Sequence, residues 1–194
     1  MPSLDQLLAD LTSGDEPRAE TAAVQIVSVG KQAFDALVRL SQHPNPDTRW
    51  WALRALSEFS VPDPSPIFIK ALTDTVPEVQ ACAALSLRLH PNPESIEFLL
   101  ALLEHQDQLL ARLAGDALAA IGFEATKPLI ERVEEEHYSH LTRLEAVRAL
   151  AVIQDPTSIS TLFKMYQDGS SMMQHWAEEG LNRMGIGMVF FDPN

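Results

Sequence analysis

The sequence predicts an all-α protein, an α-solenoid of about six antiparallel helix pairs. Three observations carry that expectation. A small residue is followed four positions later by a branched apolar one at Ala22/Ile26, Ala52/Leu56, Ala83/Leu87, Ala114/Leu118, Ala146/Leu150 and Ala177/Leu181. The six alanines stand 30, 31, 31, 32 and 31 residues apart, a fixed period of the kind that stacked helical repeats leave in a sequence. Between them, apolar stripes at helical spacing alternate with Pro- and Gly-marked breaks, and no strand alternation is worth assigning.

Each element follows from local chemistry. Residues 3–12 form a first helix with Ser3 as its cap and Leu4, Leu7, Leu8 and Leu11 on one face. After Gly14, Pro17 sits in a first helical turn, where its missing N–H costs little, and this second helix runs to about Val29 before Gly30. Residues 31–42 carry Phe34, Leu37, Val38 and Leu40; His43-Pro44-Asn45-Pro46 breaks the chain; the Trp50-Trp51 helix then runs to about Ser60. Val61-Pro62-Asp63-Pro64-Ser65-Pro66 reads as a stiff corner, followed by helices at 66–73 and 76–89. His90-Pro91-Asn92-Pro93 is a further breaker, before an apolar helix holding Ile96, Phe98, Leu99, Leu100, Leu102 and Leu103 and a second helix over 107–121. Helices to about Glu136, over 140–153, 157–167 and 171–184 complete the series.

Residues 1–185 are therefore expected to form one repeat domain, with repeats at about 3–29, 31–60, 65–89, 94–121, 125–153 and 157–185. The apolar tail 186–194, with Met188, Val189, Phe190 and Phe191, is expected to fold back as a terminal cap. Alanine at the anchor lets neighbouring helices approach closely, and the +4 residue lies on the same face. Leucine at Ala83 or Ala114 is expected to overpack that layer, by about 1–3 kcal/mol.

Composition narrows the function. A net charge of −13 repels phosphate backbones and anionic lipid, so no nucleic-acid role is expected, and a protein or peptide partner should be neutral or basic rather than acidic. Cys82 is the only cysteine, which excludes an intrachain disulfide framework. Met1-Pro2-Ser3-Leu4-Asp5 lacks the basic start of a signal peptide, and no apolar run is long enough to span a membrane; a cytoplasmic location is expected.

Reactive motifs are scarce. There is no phosphate-binding Gly-rich loop, no His-Glu-x-x-His and no Cys-x-x-Cys. His137 and His140 beside Glu134-Glu135-Glu136 have ligand spacing, but the stretch is polar, falls at a helix–helix turn and lacks a second ligand pair, so it reads as a solvated acidic turn. Cys82, within Ala81-Cys82-Ala83-Ala84-Leu85, reads as a small buried hydrophobe rather than a nucleophile. No cofactor and no metal are expected.

Arg49-Trp50-Trp51-Ala52-Leu53-Arg54-Ala55-Leu56 and Arg143-Leu144-Glu145-Ala146-Val147-Arg148-Ala149-Leu150 resemble the HEAT-like repeat, most closely the short repeats of phycobilisome lyase subunits. That resemblance covers about residues 16 to 185 and implies a superhelix whose second helices line a concave groove. By the same resemblance, the groove would present Trp50, Trp51, Arg54, Arg112, Asp116, Glu145, Arg148, His175, Trp176 and Glu179, with Ala81, Cys82, Leu85, Leu113 and Leu144 between them. Trp and Arg are enriched among interface hot spots, so these residues suit a binding surface. A non-catalytic scaffold or adaptor gripping a partner in its groove is the first expectation. A bilin lyase or chromophore-maturation subunit is the alternative. Arg49-Trp50-Trp51-Ala52 is similar to the aromatic doublet of some lyase subunits, although Arg54 and Ala55 stand where those carry further aromatics.

Overall fold

The computed structural model describes residues 2–186. Among these residues the structure is a solenoid-type array of twelve α-helices, α1 to α12, joined by turns and short 3₁₀ segments. They fall into two compact units divided between Asn92 and Pro93, at the His90-Pro91-Asn92-Pro93 breaker.

The first unit contains α1 (Leu4–Leu11), α2 (Glu16–Gln25), α3 (Lys31–Leu40), α4 (Pro46–Leu56), α5 (Ser65–Ala71) and α6 (Pro77–Leu89). They pair as α1/α2, α3/α4 and α5/α6, and the second helices pack in the series α2, α4, α6. Helix starts are specified locally. The Ser3, Asp15 and Asn45 side chains accept from the amides of Gln6, Arg18 and Asp47, and Pro17, Pro46, Pro66 and Pro77 occupy first-turn positions. Ala22, Ala52 and Ala83 are buried with Ile26, Leu56 and Leu87, as the periodicity requires.

Several ends fall short of the expected ones. Helix α2 gives way to a 3₁₀ turn over Ile26–Val29, and α4 stops at Leu56 rather than near Ser60. The reason at α4 is packing: Phe59 leaves the helix to bury itself against Phe34, ring centroids 5.5 Å apart in an edge contact. The proline-rich corner, with a cis Val61–Pro62 bond, is held by polar contacts. Ser65 Oγ donates to Asp63 at 2.8 Å and accepts from Asn92 Nδ2 at 2.9 Å, while His90 Nε2 donates to the Ser57 carbonyl at 2.7 Å.

The second unit contains α7 (Ile96–Leu103), α8 (Gln108–Ile121), α9 (Thr126–Glu134), α10 (His140–Ile153), α11 (Ile159–Asp168) and α12 (Ser171–Arg183). Pairs α7/α8, α9/α10 and α11/α12 stack through α8, α10 and α12. Each first helix here follows a 3₁₀ turn, over Pro93–Ser95, Phe123–Ala125 and Pro156–Ser158, that buries one small residue: Ser95, Ala125 or Ser158. Ala114, Ala146 and Ala177 are buried with Leu118, Leu150 and Leu181. Gly180 marks a close helix approach, because a Cβ there would lie 2.8 Å from Ala151 Cα. No helix is long and apolar enough to cross a membrane among the described residues. The capping role expected of the tail 186–194 falls on residues that, apart from Ile186, lie outside those described.

Candidate partner-binding site

Trp50 and Trp51 are neighbours on α4, so their side chains leave the helix about 100° apart. Neither sinks into the core. Both are half-buried, and the indoles turn to meet edge to face, centroids 4.8 Å apart and planes at 83°. They border a cavity of about 360 Å³ whose remaining lining is Glu16, Asp47 and Glu78. Glu16, Asp47 and Trp51 also border an adjoining cavity of about 250 Å³.

The three carboxylates come from the first turns of α2, α4 and α6, the helices that pack side by side in the first unit. They are exposed, and no ion pair or side-chain hydrogen bond among the described residues engages them. Their signal is present in the sequence, because Glu16, Asp47 and Glu78 stand one 31-residue repeat apart. Reading the repeat for its apolar anchors passes over it.

Arg54 is one turn further along α4. It is half-buried and already engaged, with Nη1 on Glu58 at 2.5 Å and Nη2 on Glu20. Burial alone would lower its pKa, but those two carboxylates raise it, so it stays a cation. Arg112 is exposed on α8. Asp116, Glu145 and Arg148 are brought together, but into one another. Arg148 is 7% exposed and Glu145 8%. Arg148 Nε donates to Glu145 at 2.6 Å, Nη1 to Asp116 at 2.6 Å and Nη2 to the Arg112 carbonyl at 2.9 Å. Glu145 and Arg148, expected at the groove, are buried members of a network tying α8 to α10. Room for that network comes from Gly115, whose Cβ position would lie 3.2 Å from Arg148 Nη2. His175 is exposed and touches the half-buried Trp176, centroids 5.4 Å apart; Glu179 accepts from Arg183 at 3.0 Å.

The repeat arginines outside this set serve the turns. Arg49 clasps Asp74 through two 2.7 Å bonds and donates to the carbonyls of His43 and Pro44. Arg143 Nε donates to the Val133 carbonyl at 3.0 Å. A larger cavity of about 590 Å³ borders Arg49, but that guanidinium is filled by these contacts. Cys82 is buried and its thiol lies 3.7 Å from the Trp50 carbonyl; burial pushes its pKa up to about 12, so no thiolate forms near neutrality. His137 is exposed beside Glu135, and His140 bonds Ser170 at 3.0 Å; no cluster of three metal-ligating side chains occurs among the described residues.

Comparison with known proteins follows the repeat pattern. The family model for HEAT repeats matches residues 4–88, 31–119, 65–141 and 96–182 in overlapping copies. No curated protein sequence gives a significant match. Among solved structures, an engineered protein is similar at 24% identity and a TM-score of 0.56, over 96% of this chain and 98% of that one. A designed armadillo repeat protein in complex with the peptide (KR)4 is similar at 20% identity and a TM-score of 0.56, over 94% of this chain and 100% of that one. The complex of CpcE and CpcF of phycocyanin lyase from Nostoc sp. PCC7120 is similar at 19% identity and a TM-score of 0.60, over 75% of this chain and 96% of that one.

Proposed function

The chain belongs to the HEAT repeat family, and from that premise we propose that it is a non-catalytic interaction module that holds a protein or peptide partner. The observation that carries this reading is the Trp50–Trp51 pair, two large half-buried indoles at the edge of a cavity. Aromatic side chains of this kind bring large contact area at low entropic cost and dominate interface energetics. The fold is consistent with such use: one structural neighbour holds a peptide and another is a complex of two subunits. A neutral or basic partner fits the net charge of −13 better than an acidic one or a nucleic acid.

Trp51→Ala and Trp176→Ala test the reading. Partner affinity, measured by calorimetry with a partner recovered from the native host, should fall about tenfold or more with the pair replaced. Circular dichroism and thermal midpoint should stay near those of the parent. Unchanged affinity in the folded double variant rejects it.

The phycocyanin lyase neighbour favours one second reading, a bilin lyase or chromophore-maturation subunit. Cys82 does not supply its nucleophile, being buried as a thiol. Co-expression with a phycobiliprotein subunit and a bilin source decides it: absence of added covalent or native-like chromophore absorbance rejects this alternative.

A further inference from the structure

First-turn carboxylates have an ordinary explanation, since acidic groups are stabilised by the partial positive charge at a helix N-terminus. That explains Glu16, Asp47 and Glu78 one at a time. It does not explain why two half-buried indoles share one cavity with all three. An indole offers a negative face to a cation, and the carboxylates bordering the same space lack a cation of their own among the described residues. Both arginines of α4 are spent, Arg49 on Asp74 and Arg54 on Glu20 and Glu58. A space of about 360 Å³ is ample for a planar charged side-chain end and too small for a folded element.

We propose that the Trp50–Trp51 pocket receives the guanidinium of an arginine carried by a basic segment of the partner. Arginine suits it better than lysine. A guanidinium is flat, stacks on an indole, sheds water more readily than an ammonium and directs several N–H groups outward in its plane. One face lies against an indole while its edge reaches the carboxylates of Asp47, Glu16 or Glu78. The adjoining cavity, which shares Glu16, Asp47 and Trp51, extends the acidic surface for a neighbouring basic residue. This assignment rests on the interaction-module reading and specifies the chemistry that module selects.

The test uses the full chain and capped Gly/Ser peptides carrying two arginines, titrated by calorimetry. The controls replace arginine by citrulline, which keeps the shape and removes the charge, or by glutamate. The arginine peptide should bind about tenfold more tightly than the citrulline peptide, and affinity should fall as salt rises. Trp51→Ala should abolish most of that preference, Trp51→Phe should retain part of it, and the paired change Asp47→Asn with Glu78→Gln should shrink both the preference and the salt dependence. Circular dichroism of each variant confirms that it is folded. Equal binding of arginine and citrulline peptides overturns the proposal, as does arginine binding unaffected by Trp51→Phe, Trp51→Ala and the carboxylate pair. If the host partner is still lost on replacing Trp51 while peptide charge has no effect, the arginine assignment fails and the interaction module stands. If neither partner nor peptide responds to the tryptophans, both fail.

Discussion

In residues 2–92 the first turns of the second helices carry Glu16, Asp47 and Glu78. Asp47 and Glu78 stand five residues before their anchor alanines and Glu16 six before Ala22; five before the anchors in residues 93–186 stand Leu109, Leu141 and Met172, with Leu109 63% and Met172 53% exposed. The arginine two places beyond the anchor alanine diverges in the opposite sense. Arg54 in the first unit is half-buried and bridges exposed acids, while Arg148 in the second is buried in a closed network. Around Arg148 the repeat supplies Gly115, Asp116 and Glu145. The equivalent positions around Arg54 hold Ala23, Val24 and Trp51. One half thus turns its charge outward beside an aromatic pair, and the other folds its charge inward. A shared backbone register fixes where a side chain starts, and its neighbours decide where it ends.

The largest expected effect breaks the inward case. Arg148→Ala leaves Glu145 buried without its cation, and should cost about 3–5 kcal/mol in denaturant-induced unfolding. Replacing Glu145 and Arg148 together by apolar residues of similar volume should recover much of that loss, because no lone charge is then buried. If the single change costs under about 1 kcal/mol, the network is solvated and the contrast with Arg54 disappears.

Gly180→Ala probes the close approach in the same unit. The added Cβ would sit 2.9 Å from Ala151 Cβ, so the backbones of α10 and α12 must part. A net loss of about 1–3 kcal/mol is expected, measured by thermal unfolding, after the ~1 kcal/mol that alanine gains over glycine in a helix. The matching positions in the first unit, Gln25, Ala55 and Ser86, already carry a Cβ.

The first unit has its own acid-sensitive clasp. Burial raises the Asp74 carboxyl, but the Arg49 hydrogen bond, the Val76 amide and the Arg49 charge together hold it below its ordinary value of 3.8. A folded pKa below the unfolded one means the contribution is complete above the unfolded value and is lost as pH falls through the folded value. Unfolding free energy followed from pH 6 downward should therefore decline below about pH 4, and Asp74→Asn should flatten that part of the curve. At neutral pH, Arg49→Lys should cost about 1–2 kcal/mol by removing the two-pronged contact.

These contrasts explain what could be read without coordinates. The alanine anchors were legible because a 31-residue period survives any side-chain variation between them, and all six are buried. The Trp50–Trp51 pair was legible as a candidate because a helix cannot bury both members in one layer. The burial of Glu145 and Arg148 was not legible, because it depends on Gly115 and Asp116, about 30 residues earlier, in a position where most repeats carry something larger or apolar. Helix α4 ended early for a similar reason, since Phe59 answers to Phe34 on another helix and not to local propensity. Glu16, Asp47 and Glu78 were in plain view, but a first-turn acid has a local role at every helix and becomes conspicuous only when the packing of α2, α4 and α6 gathers three around one pair of indoles.

The smallest effect is expected at Arg54, and it sharpens the comparison most. Its contacts with Glu20 and Glu58 lie toward solvent, where an ion pair contributes little after side-chain ordering and screening. Arg54→Ala should cost no more than about 1 kcal/mol, with that cost shrinking in added salt. Removing this cation also leaves Glu20 on α2 and Glu58 just beyond the end of α4 unpaired, so binding of an arginine-bearing peptide should strengthen slightly while stability falls slightly. A change that weakens both would place Arg54 in the packing of α2 against α4 and make the two arginines alike. Opposite signs, read by chemical denaturation and calorimetry on one variant, separate an outward charge held for a partner from an inward charge held for the fold.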